Sequence, residues 1–240
     1  MKNKTIKRRI TAIVFLITIA GFSQNRSQTI VPLESFYSKI KSQKNPQLID
    51  ARGPEEFALN HIEGAVNLNL QSENYAKYVA HLDPSKPVFI YSIGAGRSAA
   101  LADELLKNGF KEAYSLEGGI ASWIGAGKPF YTSSKSKLTL GEYKKIIAEN
   151  TTVLVDIGSK YCGACKKVKP VLETLKAQYG ENLKIVEIEL EDSPKIIADL
   201  KTIQVFPTLI LYKNGKITFK KEGSADLKKE VDLALANNLN

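Results

Sequence analysis

The sequence predicts an α/β chain of two domains built mainly on parallel sheets. Three observations carry that prediction. Short β-rich runs alternate with helical stretches from about residue 30 onward, as strand-helix-strand units require. One polar stretch without an apolar residue, Thr132-Ser-Ser-Lys-Ser-Lys137, interrupts the alternation. The two sides of that break differ in charge, with 11 basic residues against 11 acidic over 24–134 and 18 against 14 over 135–240. Length and composition agree: 240 residues, 43% hydrophobic and 25% charged, suffice for two modest domains and exclude disordered, collagenous and disulfide-scaffold chains.

The chain opens on a segment to be read apart from the folded part. Lys2, Lys4, Lys7, Arg8 and Arg9 precede the apolar run Ile10 to Phe22, and no acid occurs before Glu34. That run is short for a hydrocarbon core of ~30 Å. It reads as a secretory signal peptide over 1–23, with Gly21 and Ser23 as the small residues ahead of a cut between Ser23 and Gln24. An uncleaved anchor is the alternative. Either reading makes the protein exported, periplasmic in a Gram-negative cell, where disulfides form and persist. No stable membrane insertion is expected after cleavage. Without the leader, 29 basic residues face 25 acidic ones, and no cationic cluster interleaved with aromatics calls for a nucleic acid.

Strands are expected at Gln47–Asp50, Ala65–Leu68, Val88–Tyr91, Ala113–Leu116, Thr152–Ile157, Lys184–Leu190, Thr208–Tyr212 and Lys216–Lys220. The domains then run over 30–130 and 138–240, joined by a flexible linker at 131–137. In the front half, Val88-Phe-Ile-Tyr91 feeds a six-residue loop, Ser92, Ile93, Gly94, Ala95, Gly96 and Arg97, and then a helix. Successive N–H groups of such a loop form an anion-accepting concavity, to which Arg97 adds charge if it points inward. A plain solvated turn is the competing reading. Gly94-Ala-Gly-Arg-Ser-Ala99 with Glu117 also fits a dinucleotide fingerprint, but about 100 residues are too few for two mononucleotide-binding halves.

The other segments of this half are Leu48-Ile-Asp-Ala-Arg52, Glu56-Phe57, His61-Ile-Glu-Gly-Ala-Val-Asn67 and Leu116-Glu-Gly-Gly-Ile-Ala-Ser-Trp123. Together with the loop they resemble a rhodanese domain, with a parallel sheet. In that family the loop begins with the cysteine that carries sulfur as a persulfide. Here it begins with Ser92, whose hydroxyl cannot hold sulfane sulfur, so sulfurtransferase activity is expected to be absent. Asp50 and Arg52 are expected to support the loop by charge pairing, His61 to be structural, and Trp123 to lie in the core.

Only two cysteines occur, Cys162 and Cys165, in Val153-Leu-Val-Asp-Ile-Gly-Ser-Lys-Tyr-Cys-Gly-Ala-Cys-Lys-Lys167. The run reads as a strand, a loop and a helix opening at the thiols. Unpaired N–H groups at a helix start lower a thiol pKa from about 8.5 toward neutrality. Cys162 is therefore expected to be an exposed thiolate, with Cys165 covered by the helix and close enough to form a disulfide. A zinc site lacks further ligands, since His61 and His81 lie in the other half. An inert structural disulfide leaves the placement at a strand-to-helix turn unexplained.

With Asp156, Pro170, Phe206-Pro207-Thr208 and the Asn214-Gly215 turn at matching spacings, residues 138–240 resemble thioredoxin. The resemblance implies a mixed sheet, a cis peptide before Pro207, and a thiol-disulfide exchange that needs no cofactor beyond the Cys162–Cys165 couple. It further implies Cys162 as nucleophile, Cys165 as resolving thiol, Asp156 as proton relay beneath the disulfide, and Tyr161, Phe206, Pro207 and Thr208 as the substrate-aligning surface. Its partners would be protein thiols or disulfides, with a membrane thiol-disulfide transporter as electron donor or acceptor. Three departures stand out: Tyr161 replaces a tryptophan, Gly163-Ala164 replaces Gly-Pro, and Glu187, Glu189 and Glu191 occupy the region of a lysine. The first two leave the direction of electron flow open, and the third leaves Asp156 without the lysine partner that the family has there. A non-enzymatic binding protein with a static disulfide is the alternative.

Overall fold

The computed structural model describes residues 29–239; the leader expected over 1–23 lies outside them. The front half runs β1 (Ile30–Val31), α1 (Leu33–Lys41), β2 (Gln47–Asp50), α2 (Pro54–Leu59), β3 (Asn60–Ile62), β4 (Val66–Asn67), α3 (Tyr75–Val79), β5 (Val88–Tyr91), α4 (Gly96–Lys107), β6 (Ala113–Leu116), α5 (Gly119–Gly125) and β7 (Phe130–Thr132). The back half runs α6 (Leu140–Glu149), β8 (Thr152–Gly158), α7 (Lys169–Tyr179), β9 (Lys184–Glu189), α8 (Pro194–Leu200), β10 (Thr208–Lys213), β11 (Lys216–Glu222) and α9 (Leu227–Leu239).

Local chemistry explains many of the boundaries. Pro54 opens α2, where Glu56 reaches back to the Gly53 amide at 3.1 Å. Thr139 and Glu142 form a reciprocal capping box at α6. Asn214 and Gly215, at φ 50° and 76°, make the left-handed pair that a two-residue hairpin between β10 and β11 requires. Strands β1, β3 and β7, at two or three residues each, are too short to show a period, and tertiary pairing alone makes them strands.

The front sheet is parallel throughout, in the order β1-β6-β5-β2-β4. This order is not that of a dinucleotide-binding doubly wound sheet. The back sheet is mixed, β11-β10-β8-β9, with β8 antiparallel to β10 and parallel to β9. Each sheet has one core of its own: Ile49, Val88, Ile90, Leu101 and Leu105 in front, and Leu154, Val168, Leu172, Leu209 and Leu235 behind. The remaining buried cluster crosses the domain boundary. It joins Phe36, Phe89, Ile120, Trp123 and Ile124 of the front half to Val155, Ile157, Ile196, Ile197, Ile203 and Phe206 of the back half.

The flexible linker expected at 131–137 is therefore corrected. Tyr131 and Thr132 belong to β7, which pairs with β3, and Ser133 donates its amide to the Leu59 carbonyl at 3.0 Å. Lys137 bonds Asp192 through both backbone and ammonium. The segment is polar because it lies at the surface, while both its ends are tied to folded structure. Among the described residues, no helix is long and apolar enough to cross a membrane.

Candidate active site

Strand β8 is buried along its whole length and ends at Gly158, four residues before Cys162. Cys162 and Cys165 are joined by a disulfide, with Cα atoms 5.3 Å apart. The amide of Cys165 donates to the Cys162 sulfur at 3.2 Å. The expectation of a helix opening at the thiols needs correction: Cys162 lies on a turn, Cys165–Lys167 is a single 3-10 turn, and the α-helix starts at Lys169. Pro170, lacking an N–H, cannot continue a hydrogen-bond ladder from the preceding turn and instead sits in the first turn of α7. Cys162 is not exposed either. At 5% exposure it is as covered as Cys165 at 6%, because both sulfurs belong to the cluster that also holds Phe206 and Ile203.

Asp156 is buried at 8% exposure, and its Oδ1 has no hydrogen-bond partner among the described residues. Side chains two apart on a strand share a face, so Asp156 shares that of Gly158, where an added Cβ would lie 3.1 Å from the Cys165 sulfur. Burial pushes the Asp156 carboxyl up to about 7; Glu187, its register partner on β9, and Glu189 add to the rise, and Lys169 opposes it. Lys169 is itself 3.4 Å from Glu189.

The run Glu187, Glu189, Glu191 divides by environment. Strand β9 ends at Glu189, and the turn after it buries Glu191 to 4% exposure. Glu191 accepts from the Ser159 hydroxyl at 2.6 Å and the Lys160 amide at 3.2 Å. Ser159 in turn accepts the Tyr161 amide on its hydroxyl and the Cys162 amide on its carbonyl. Glu191 thus braces the turn that presents Cys162. Burial raises its pKa, and the bonds from Ser159 and Lys160 oppose the rise. Sequence reading missed this role, because strand periodicity would have put all three glutamates on one face.

Tyr161 is half-buried beside the cysteines, with the Lys160 ammonium 5.3 Å from its ring centre. Phe206, Pro207 and Thr208 are buried, and the Phe206–Pro207 peptide is cis. Thr208 bonds the Val205 carbonyl at 2.7 Å, and the Gly223 amide bonds that of Pro207 at 2.8 Å.

Ser92, 1% exposed, donates its hydroxyl to the Gly94 carbonyl and accepts the Ser98 amide at 3.3 Å. The Arg97 guanidinium is held in an ion pair. Helix α4 begins at Gly96, and from its first turn Arg97 reaches Glu56 with two bonds, at 2.6 and 2.9 Å. The Ser92 hydroxyl and the Gly94 carbonyl are satisfied within the loop, and Ile93 packs on the shared cluster. Asp50 and Arg52 form a buried pair extended by Asn60, His61 stacks between Phe57 and Tyr131, and Trp123 is buried.

Comparison with known proteins assigns a family to each half of the chain. The thioredoxin family model matches residues 134–234, and the rhodanese-like domain model matches 33–126. A thioredoxin of Pyropia yezoensis is 36% identical over 84 residues, covering 35% of this chain and 78% of that protein. An uncharacterized protein of Bacillus subtilis, YqhL, is 35% identical over 113 residues, covering 47% of this chain and 85% of that one. Oxidized mitochondrial thioredoxin 3 of Saccharomyces cerevisiae aligns at 24% identity with a TM-score of 0.38, over 44% of this chain and 95% of that one. The chain belongs to the thioredoxin family, its thioredoxin domain following a rhodanese-like domain.

Proposed function

We propose that this thiol-disulfide oxidoreductase works outside the cytoplasm on protein disulfides, through Cys162 as nucleophile and Cys165 as resolving thiol, and that its rhodanese-like domain transfers no sulfur. The observation that carries the assignment of roles is the Cys165 amide donating to the Cys162 sulfur, because an N–H aimed at one sulfur stabilises negative charge there. In the reduced protein the Cys162 thiolate attacks a substrate disulfide, forming a mixed disulfide and releasing one substrate thiolate. Cys165 gives up its proton and attacks Cys162, which closes the Cys162–Cys165 bond and frees the second substrate thiolate. The substrate is reduced by two electrons and the protein is oxidised by two. Asp156, facing the side of Cys165 and titrating near neutrality, is suited to take that proton.

Reduction of insulin by the full chain tests the reading, which fails if Cys162→Ser leaves the rate unchanged. A reduction potential far below about −300 mV would favour a static disulfide in a binding protein. The redox state trapped in freshly quenched cells reads direction: mostly dithiol marks a reductase, mostly disulfide an oxidase. The proposed electron partner is a membrane thiol-disulfide transporter, as the thioredoxin resemblance implies. For the front domain, the supporting observations are Ser92 in the carrier position and its hydroxyl engaged by the Gly94 carbonyl.

A further inference from the structure

Gly118, which caps α5, and Gly125, its last residue, lie against the segment leading into Pro207. A Cβ at Gly118 would overlap the backbone carbonyl of Gln204, and one at Gly125 would overlap that of Ile203. Such backbone-to-backbone approach is possible only without a side chain. Ile203 is 1% exposed and belongs to the cluster shared by both domains, with Phe206 and both cysteines. Next to Gly118, Gly119 makes the same kind of approach to the Ser92 and Gly94 carbonyls. The Gly118-Gly119 pair is therefore wedged between the front loop and the run Ile203 to Phe206. Between the halves, beside this seam, runs a cleft of about 620 Å³, with Glu117 and Ser122 on one wall and Gln204 and Val205 on the other.

We infer that Gly118 and Gly125 are positioning residues for thiol-disulfide exchange with protein substrates: through them the rhodanese-like domain sets the backbone of 203–206, and with it the buried Phe206-Pro207 segment, whose backbone edge the thioredoxin resemblance makes the substrate-aligning surface. The inference rests on the function proposed above. A protein disulfide must lay its backbone along that surface before its sulfur meets Cys162, whereas a small disulfide brings only its sulfur. Displacing an aligning surface by about 1 Å can cost a hundredfold in a positioned reaction. The front domain thereby has a use that survives the loss of sulfur chemistry, because the same glycine pair that packs against the Ser92 loop seats the segment before Pro207.

The test is Gly125→Ala in the full chain. Gly125 has an ordinary helical φ, so in an undocked domain alanine would be neutral or stabilising. Gly141→Ala is the control, since its methyl would meet only the Thr139 hydroxyl, at 3.9 Å. The expected result is a KM for insulin at least fivefold higher, with the reduction potential and the rate with a small aromatic disulfide both within twofold of the unmodified protein. Amide hydrogen exchange should also accelerate over 203–206, and Gly141→Ala should change none of these. An unchanged KM, or a parallel loss with the small disulfide, would overturn the inference. Should Gly125→Ala fail to fold, Ile203→Val loosens the same seam by one methyl group; it should raise the insulin KM about twofold with the small disulfide unaffected, and no change would overturn the inference equally. Failure of the underlying function would be seen elsewhere, as exchange that persists in Cys162→Ser.

Discussion

The two domains contain the same local device with different chemistry. In each, a buried strand of the sheet, β5 or β8, runs into a turn and then a helical segment, and one residue of the turn is covered: Ser92, directly after β5, at 1% exposure, and Cys162, four residues after β8, at 5%. In each, the side-chain atom of that residue accepts a backbone amide from further along, Ser98 at 3.3 Å or Cys165 at 3.2 Å. The difference is what else the atom does. The serine hydroxyl has a proton to donate and uses it on the Gly94 carbonyl. The cysteine sulfur instead bonds a second sulfur three residues on. A strand-turn-helix frame therefore supplies an amide-lined position in both domains, and the two positions differ in the atom placed there and in what surrounds it.

The strongest way to sharpen the comparison is to remove that atom on each side. Cys162→Ser should lower insulin turnover by at least about a thousandfold, while Ser92→Ala should leave it within twofold; equal effects would abolish the distinction. Next in size is Asp156, buried on the active side. Its folded pKa of about 7 exceeds the ordinary 3.8, so the native state holds this proton more tightly than the unfolded chain does. That preference is fully present below about pH 4 and is lost as pH rises through 7, a cost of about 4 kcal/mol in the ionised range. Urea unfolding of Asp156→Asn should therefore match the unmodified protein near pH 4 and exceed it in stability at pH 8. A difference independent of pH would refute the assignment.

Glu191 comes third. Glu191→Ala strips the Ser159 hydroxyl and Lys160 amide of their acceptor and should cost about 1–3 kcal/mol in the same unfolding measurement. It should also slow exchange with small disulfides as well as proteins, in contrast to the seam variants, because it acts on the Cys162 turn itself. The smallest effect is expected from Ser92→Cys. With Gly119 against the loop and Arg97 held by Glu56, sulfur transfer from thiosulfate to cyanide should stay at background. Measurable turnover would show that the frame is open and that one atom alone separates the two turns.

Much of this protein is determined by local sequence. The pairing of Cys162 with Cys165, the Asn214-Gly215 hairpin, the long strands of both sheets and the serine in the carrier position are visible because thiol spacing, turn residues and apolar runs act over a few residues. Other features arise only where distant segments meet. Strands β1, β3 and β7 exist because partners such as Ser115 and Thr132 stand opposite them. Glu191 faces inward because a turn follows β9, and Arg97 is held in an ion pair by a buried Glu56, 41 residues away. Above all, burial of both cysteines and the docking of the halves through Gly118 and Gly125 were decided by tertiary structure: a glycine's lack of a side chain carries no address, and only packing reveals which backbone fills the space.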